Sequence, residues 1–150
     1  MSTGVVKVHV RGVVPTASGC AVFLGNDEKV FVIYVDQHVG TAIARIVQGH
    51  QYARPLTHDL IGQVFAGLGV TVQRVVINDL RDNTFFARLL LRQESELGQK
   101  IVEVDARPSD SIALALQAKA EILVASGVFE AVEDMSWVLK GQDEAGSQEE

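Results

Sequence analysis

Two short segments carry most of the side chains that could do chemistry. In the first, Arg54 and Pro55 precede Thr57, His58 and Asp59; in the second, Asp105, Arg107 and Pro108 precede Ser109 and Asp110. Each places an arginine and a proline before a hydroxyl and a carboxylate, at what reads as a helix start. Proline suits the first helical turn, where its missing N–H costs nothing. Ser, Thr and Asp there can satisfy unpaired N–H groups, a capping role worth about 0.5–2 kcal/mol. The same residues also suit a phosphodiester. Helix N-terminal N–H groups attract phosphate, and a guanidinium binds two of its oxygens at once. On that reading Arg54, Thr57, Arg107 and Ser109 hold phosphate. If both helix starts face one groove, Asp59, Asp105 and Asp110 could hold a divalent ion, Mg²⁺ or Mn²⁺, that activates water. No organic cofactor is indicated.

His58 is the best general acid or base, because imidazole as a side-chain type titrates near neutral pH. A structural histidine bonded to a neighbouring loop is the competing reading. His9, His38 and His50 show no metal-ligand spacing. Asp79 reads as a turn former, and Arg74, Arg81, Arg88 and Arg92 as charges on an exposed strand face. Cys20, the single cysteine, sits in the apolar run CAVFL and reads as a buried small hydrophobe.

The elements that must position these residues follow from periodicity. Val6, Val8 and Val10 alternate with polar neighbours, giving a half-buried strand over Val5–Val14, and Pro15 and Gly19 bound a loop. Strands follow at Cys20–Leu24 and Lys29–Val35, the latter apolar on both faces like a central strand. Val39, Ile43, Ile46 and Val47 predict a helix from about His38 to Gln48. Thr57 is the expected N-cap of a second helix burying Leu60, Ile61, Val64, Phe65 and Leu68. Val70–Leu80 and Thr84–Arg92 form a hairpin, with a bulge expected near Gln73 or Arg74 where the alternation slips. A strand over Lys100–Asp105 leads into the third helix, whose run IALALQA is apolar on so much of its circumference that it must be buried. Ile122–Ala125 is a last short strand. Strands cluster rather than alternate with helices, so the fold class is α+β: a mostly antiparallel twisted sheet with three main helices packed against it.

At 150 residues, 47% hydrophobic and 21% charged, the chain is ordinary globular material for one domain. No apolar run is long enough for a membrane span and the N-terminus does not resemble a signal peptide, so the expected setting is the cytoplasm, without membrane. The net charge of −6 is unevenly spread. From Glu133 onward there are six acidic residues and one lysine, leaving 13 acidic and 12 basic residues elsewhere. The body is therefore close to neutral, which argues against tight, sequence-independent tracking of nucleic acid. A domain over 1–132 and an acidic, disordered tail over 133–150 are expected.

The run DARPSDSIALAL, with RPLTHDLIGQVFAGLGVTVQRVVINDLRDNTFFARLLL upstream, resembles the bifunctional nuclease family. These are small bacterial domains with plant relatives, described as acting on both RNA and DNA. The resemblance implies a self-associating α+β domain, a homodimer or higher homo-oligomer, with nuclease activity on RNA or DNA. The chain departs from the family pattern twice. Val39 stands where a glutamate is usual after the third strand, and Glu121-Ile122 stands where a Pro-Ile pair is usual. The alternative reading is a non-catalytic oligomeric or regulatory domain whose paired motifs pack helices.

Overall fold

The computed structural model describes residues 4–50 and 53–141. Among the described residues seven strands form one sheet in the order β3-β2-β1-β7-β4-β5-β6. They are β1 (Val5–Thr16), β2 (Gly19–Gly25), β3 (Val30–Val35), β4 (Val70–Arg81), β5 (Thr84–Ser95), β6 (Gly98–Ala106) and β7 (Glu121–Ala125). The helices are α1 (Gln37–Gln48), α2 (Thr57–Gly67), α3 (Pro108–Ala118) and the short α4 (Ser126–Ala131), followed by a helical turn over 136–141. The fold is α+β, but the sheet is mixed rather than purely antiparallel, because β7 runs parallel to β4. That follows from connectivity. Two strands, β4 and β5, lie between β6 and β7, so the chain must cross the sheet face to reach β7, and α3 is the crossover. A helix laid over β4 and β5 in this way is buried, which is why Ile112, Ala113 and Ala115 are solvent-free.

Around α3 the core gathers Val8, Val22, Leu24, Phe31, Ile33, Ile43, Val75, Ile77, Ala87, Leu89 and Val124. Gly40 lets α1 sit directly on β2, since a Cβ there would lie 2.5 Å from the Cys20 sulfur. Cys20 is a free, buried thiol, as its apolar setting predicts. The expected bulge is present: the β4–β5 register shifts between Val72 and Arg74, and again between Ile77 and Asp79.

Several expectations need correction. β3 is not central but lies at the sheet edge. It is apolar on both faces because both are covered. Phe31 and Ile33 join the main core, while Val30 and Val32 pack with Ala21, Phe23, Met135, Val138 and Leu139. The segment expected to begin an unstructured tail at Glu133 is that cover. As far as residue 141 it is folded, with Met135 N–H donating to Val30 O at 2.6 Å and Asp134 accepting from Val30 N–H at 3.0 Å. The remainder of the expected tail, 142–150, lies outside the described residues. Pro15 is inside β1, paired with Cys20, beyond the Val5–Val8 stretch that pairs with β7. With no ladder to donate to on its free side, a proline is tolerated there. α2 buries none of its residues fully. Ile61 and Phe65 pack on the core, but Leu60, Val64 and Leu68 are 54%, 48% and 61% exposed.

Candidate functional site

Three helix N-termini meet at one place. Asp36 is the N-cap of α1, where its Oδ1 accepts from Val39 N–H at 2.9 Å. Its second oxygen accepts from an Arg107 Nη1 at 3.4 Å, and Arg107 is the N-cap residue of α3. Arg107 Nε–H donates to Asp110 Oδ2 at 2.9 Å, in the first turn of α3. The other oxygen of Asp110 lies 3.0 Å from His58 Nε2, in the first turn of α2. A chain of carboxylate, guanidinium, carboxylate and imidazole thus ties the positive ends of α1, α3 and α2 together.

The electrostatics of this chain are set by partial burial. Burial of Asp110 opposes ionisation, but the hydrogen bonds from Arg107 and His58, with their charges, outweigh it and hold the carboxyl below its ordinary range. The hydrogen bond and charge of Asp110, supported by Asp36, raise the Arg107 guanidinium further. Arg107 stays 63% exposed at its side chain, whereas His58 is 12% exposed. Two donors of Arg107 are engaged with Asp36 and Asp110, so three of its five N–H groups remain for a ligand. With Nε2 facing Asp110, His58 has Nδ1 left to accept or release a proton.

A second hydrogen bond fixes the imidazole's backbone. Gln117 Nε2, from the last turn of α3, donates to His58 O at 2.7 Å. The approach requires Gly62, because a Cβ there would lie 2.3 Å from Gln117 Nε2. Beside this contact a groove of about 680 Å³ opens between α1, α2, α3 and the start of β4, and His58 lines its wall.

The remaining sequence-predicted residues do not join the network. Asp59 caps its own helix: its Oδ2 accepts from Leu56 N–H at 2.9 Å. Leu56, not Thr57, is the N-cap, and Thr57 is the first helical residue. Arg54 is exposed just before α2, and Ser109 is buried in the first turn of α3. Asp105 pairs in register with Arg88, whose neighbours Ala87 and Leu89 enter the core. Strand alternation therefore puts Asp105 on the sheet face opposite the helices. Asp59, Asp105 and Asp110 do not converge, and among the described residues no three His, Cys, Asp or Glu side chains gather closely enough to hold a metal ion. Arginine at the centre of the Asp36, Asp110 and His58 group also makes those donors a poor fit to a cation.

Three of the four arginines on the exposed strand face, Arg81, Arg88 and Arg92, are paired with carboxylates. Arg81 pairs with Asp79 at 2.8 Å and stacks on Phe86, Arg88 faces Glu103 at 3.8 Å, and Arg92 pairs with Glu94. Asp36 and Gln117 are the residues that sequence reasoning missed. Asp36 carried a readable signal, an aspartate directly before an amphipathic helix. Gln117 carried only its isolation as the polar residue of an apolar run.

The Bifunctional nuclease domain family matches residues 22–135, and the chain belongs to that family. Two uncharacterized proteins from strains of Mycobacterium tuberculosis are each 39% identical over 103 residues, covering 69% of this chain and 58% of theirs. The chain thus spans less than two thirds of the length of the curated relatives it matches. The family is described as a nuclease domain. Among the described residues no helix is long and apolar enough to cross a membrane.

Proposed function

We propose that this protein hydrolyses phosphodiester bonds in RNA and DNA where the N-termini of α1, α2 and α3 meet. The observation that carries the reading is the Asp36–Arg107–Asp110–His58 chain, together with membership of the family. Arg107 binds non-bridging phosphate oxygens with its remaining donors, and the helix ends favour the added negative charge. Because DNA lacks a 2′-hydroxyl, one mechanism for both substrates needs water as the nucleophile. His58 Nδ1 takes the proton as water oxygen bonds to phosphorus, and returns it to the departing ester oxygen. Asp110 holds the imidazole and stabilises its charged form, so it acts through His58. No step is routed through a metal, because the three aspartates expected to hold one lie apart.

Self-association belongs to the same proposal. Leu60, Val64 and Leu68 recur every four residues along one exposed flank of α2, a helix with no Lys, Arg or Glu whose His58 and Asp59 line the groove instead. The non-catalytic reading draws on the same ridge and on the two carboxylates already beside Arg107. Initial rates on single-stranded RNA and DNA separate the readings. His58→Gln is expected to lower both at least 100-fold with an unchanged circular dichroism spectrum. A change under twofold points to the interaction domain.

A further inference from the structure

The groove beside His58 differs from the Arg107 cluster in chemistry. Its walls are mostly apolar, with Ile46, Leu56, Phe65 and Leu114 prominent, and its lining charges of each sign are few, Asp59 against Arg45. A volume of about 680 Å³ lies in the range of roughly 300–1,000 Å³ typical of sites for compact organic ligands. His58 belongs to both places: its Nε2 meets Asp110, and it lines the groove. A ligand that spans them is anionic at one end and uncharged, with apolar surface, at the other. That describes a nucleotide unit, with phosphate at Arg107 and base in the groove.

We infer that this groove binds one unstacked nucleobase of a single-stranded substrate, a reading that rests on the proposed nuclease site. The Phe65 ring and the aliphatic wall supply the surface that a base's π-face stacks on, a contact every base can make. The nearly neutral body fits the same conclusion. With 13 acidic and 12 basic residues before Glu133, backbone charge contributes little affinity, so binding needs contacts that a duplex keeps inside its stack. Substrate selection therefore falls on strand state, and the groove is the feature that reads it.

The test is equilibrium binding by fluorescence anisotropy, in parallel with cleavage. The probes are an end-labelled single strand, the duplex of the same sequence, and an abasic strand of equal length and charge. The single strand is expected to bind at least tenfold tighter than the other two. Ala66→Trp and Ala118→Trp place an indole in the groove from exposed positions on α2 and α3, and either should abolish the difference. Equal affinity for intact and abasic strands, or a preference that survives both folded variants, overturns the inference. Base-dependent binding without cleavage upholds the groove and sinks the nuclease reading. Cleavage without base preference does the reverse.

Discussion

At the residue scale, the question for Asp110 is which of its partners matters for what. Its carboxylate accepts from Arg107 at 2.9 Å and lies 3.0 Å from His58 Nε2, so it serves both charge balance and orientation. Because its folded pKa is depressed, its contribution to stability is complete above the unfolded value of about 3.9 and is lost as pH falls through the lower folded value. Wild type should therefore exceed Asp110→Asn in stability by about 1 kcal/mol at pH 6. The gap should close below pH 4. Urea unfolding at the two pH values measures this, and a gap that widens in acid would contradict the assignment. Asp36, in contrast, was legible only as an aspartate directly before an amphipathic helix. Its two oxygens do separate jobs, capping α1 and holding Arg107.

At the element scale, α2 is held in register by Gln117 and Gly62 rather than by deep burial. Gly62→Ala gains about 0.5–1 kcal/mol of helix propensity and loses a hydrogen bond worth about as much. Melting temperature should therefore shift by only a few degrees. Cleavage should fall about tenfold, because the added methyl displaces Gln117 from the His58 carbonyl. A rate that tracks stability would contradict this. The helices and strands were legible because each carries its own period, Val6, Val8 and Val10 on β1 or Ile43 and Ile46 on α1. The edge position of β3 was not, because the residues that cover it, Met135, Val138 and Leu139, lie about a hundred positions away. The same limit hid the site. His58 and Asp110 are 52 residues apart, and nothing local to either segment says that their helix starts meet. Asp105 looked like a partner of Asp110 by proximity in sequence, and strand alternation sends it to the opposite face.

At the scale of the whole molecule, α1, α2 and α3 pack on the main-core face of the sheet, the segment over 135–139 covers the other face at β2 and β3, and an apolar ridge is left on α2. Leu60, Val64 and Leu68 lie on the flank of α2 away from Gly62 and Ala66, so association through the ridge leaves the groove open. Leu60→Lys with Val64→Lys should yield monomers with nearly unchanged melting temperature, since exposed side chains contribute little to the core. Analytical ultracentrifugation reads the result, and an unchanged oligomer would place the interface elsewhere.

The central claim is that phosphodiester hydrolysis occurs where α1, α2 and α3 meet. Its most direct test is cleavage of single-stranded RNA and DNA by highly purified wild type and Asp110→Asn, each with Mg²⁺, with Mn²⁺ and with EDTA. The account predicts activity on both substrates that falls at least 100-fold in the folded variant and persists in EDTA. Equal rates in wild type and variant would contradict the site, and activity abolished by EDTA would contradict the metal-free route through His58.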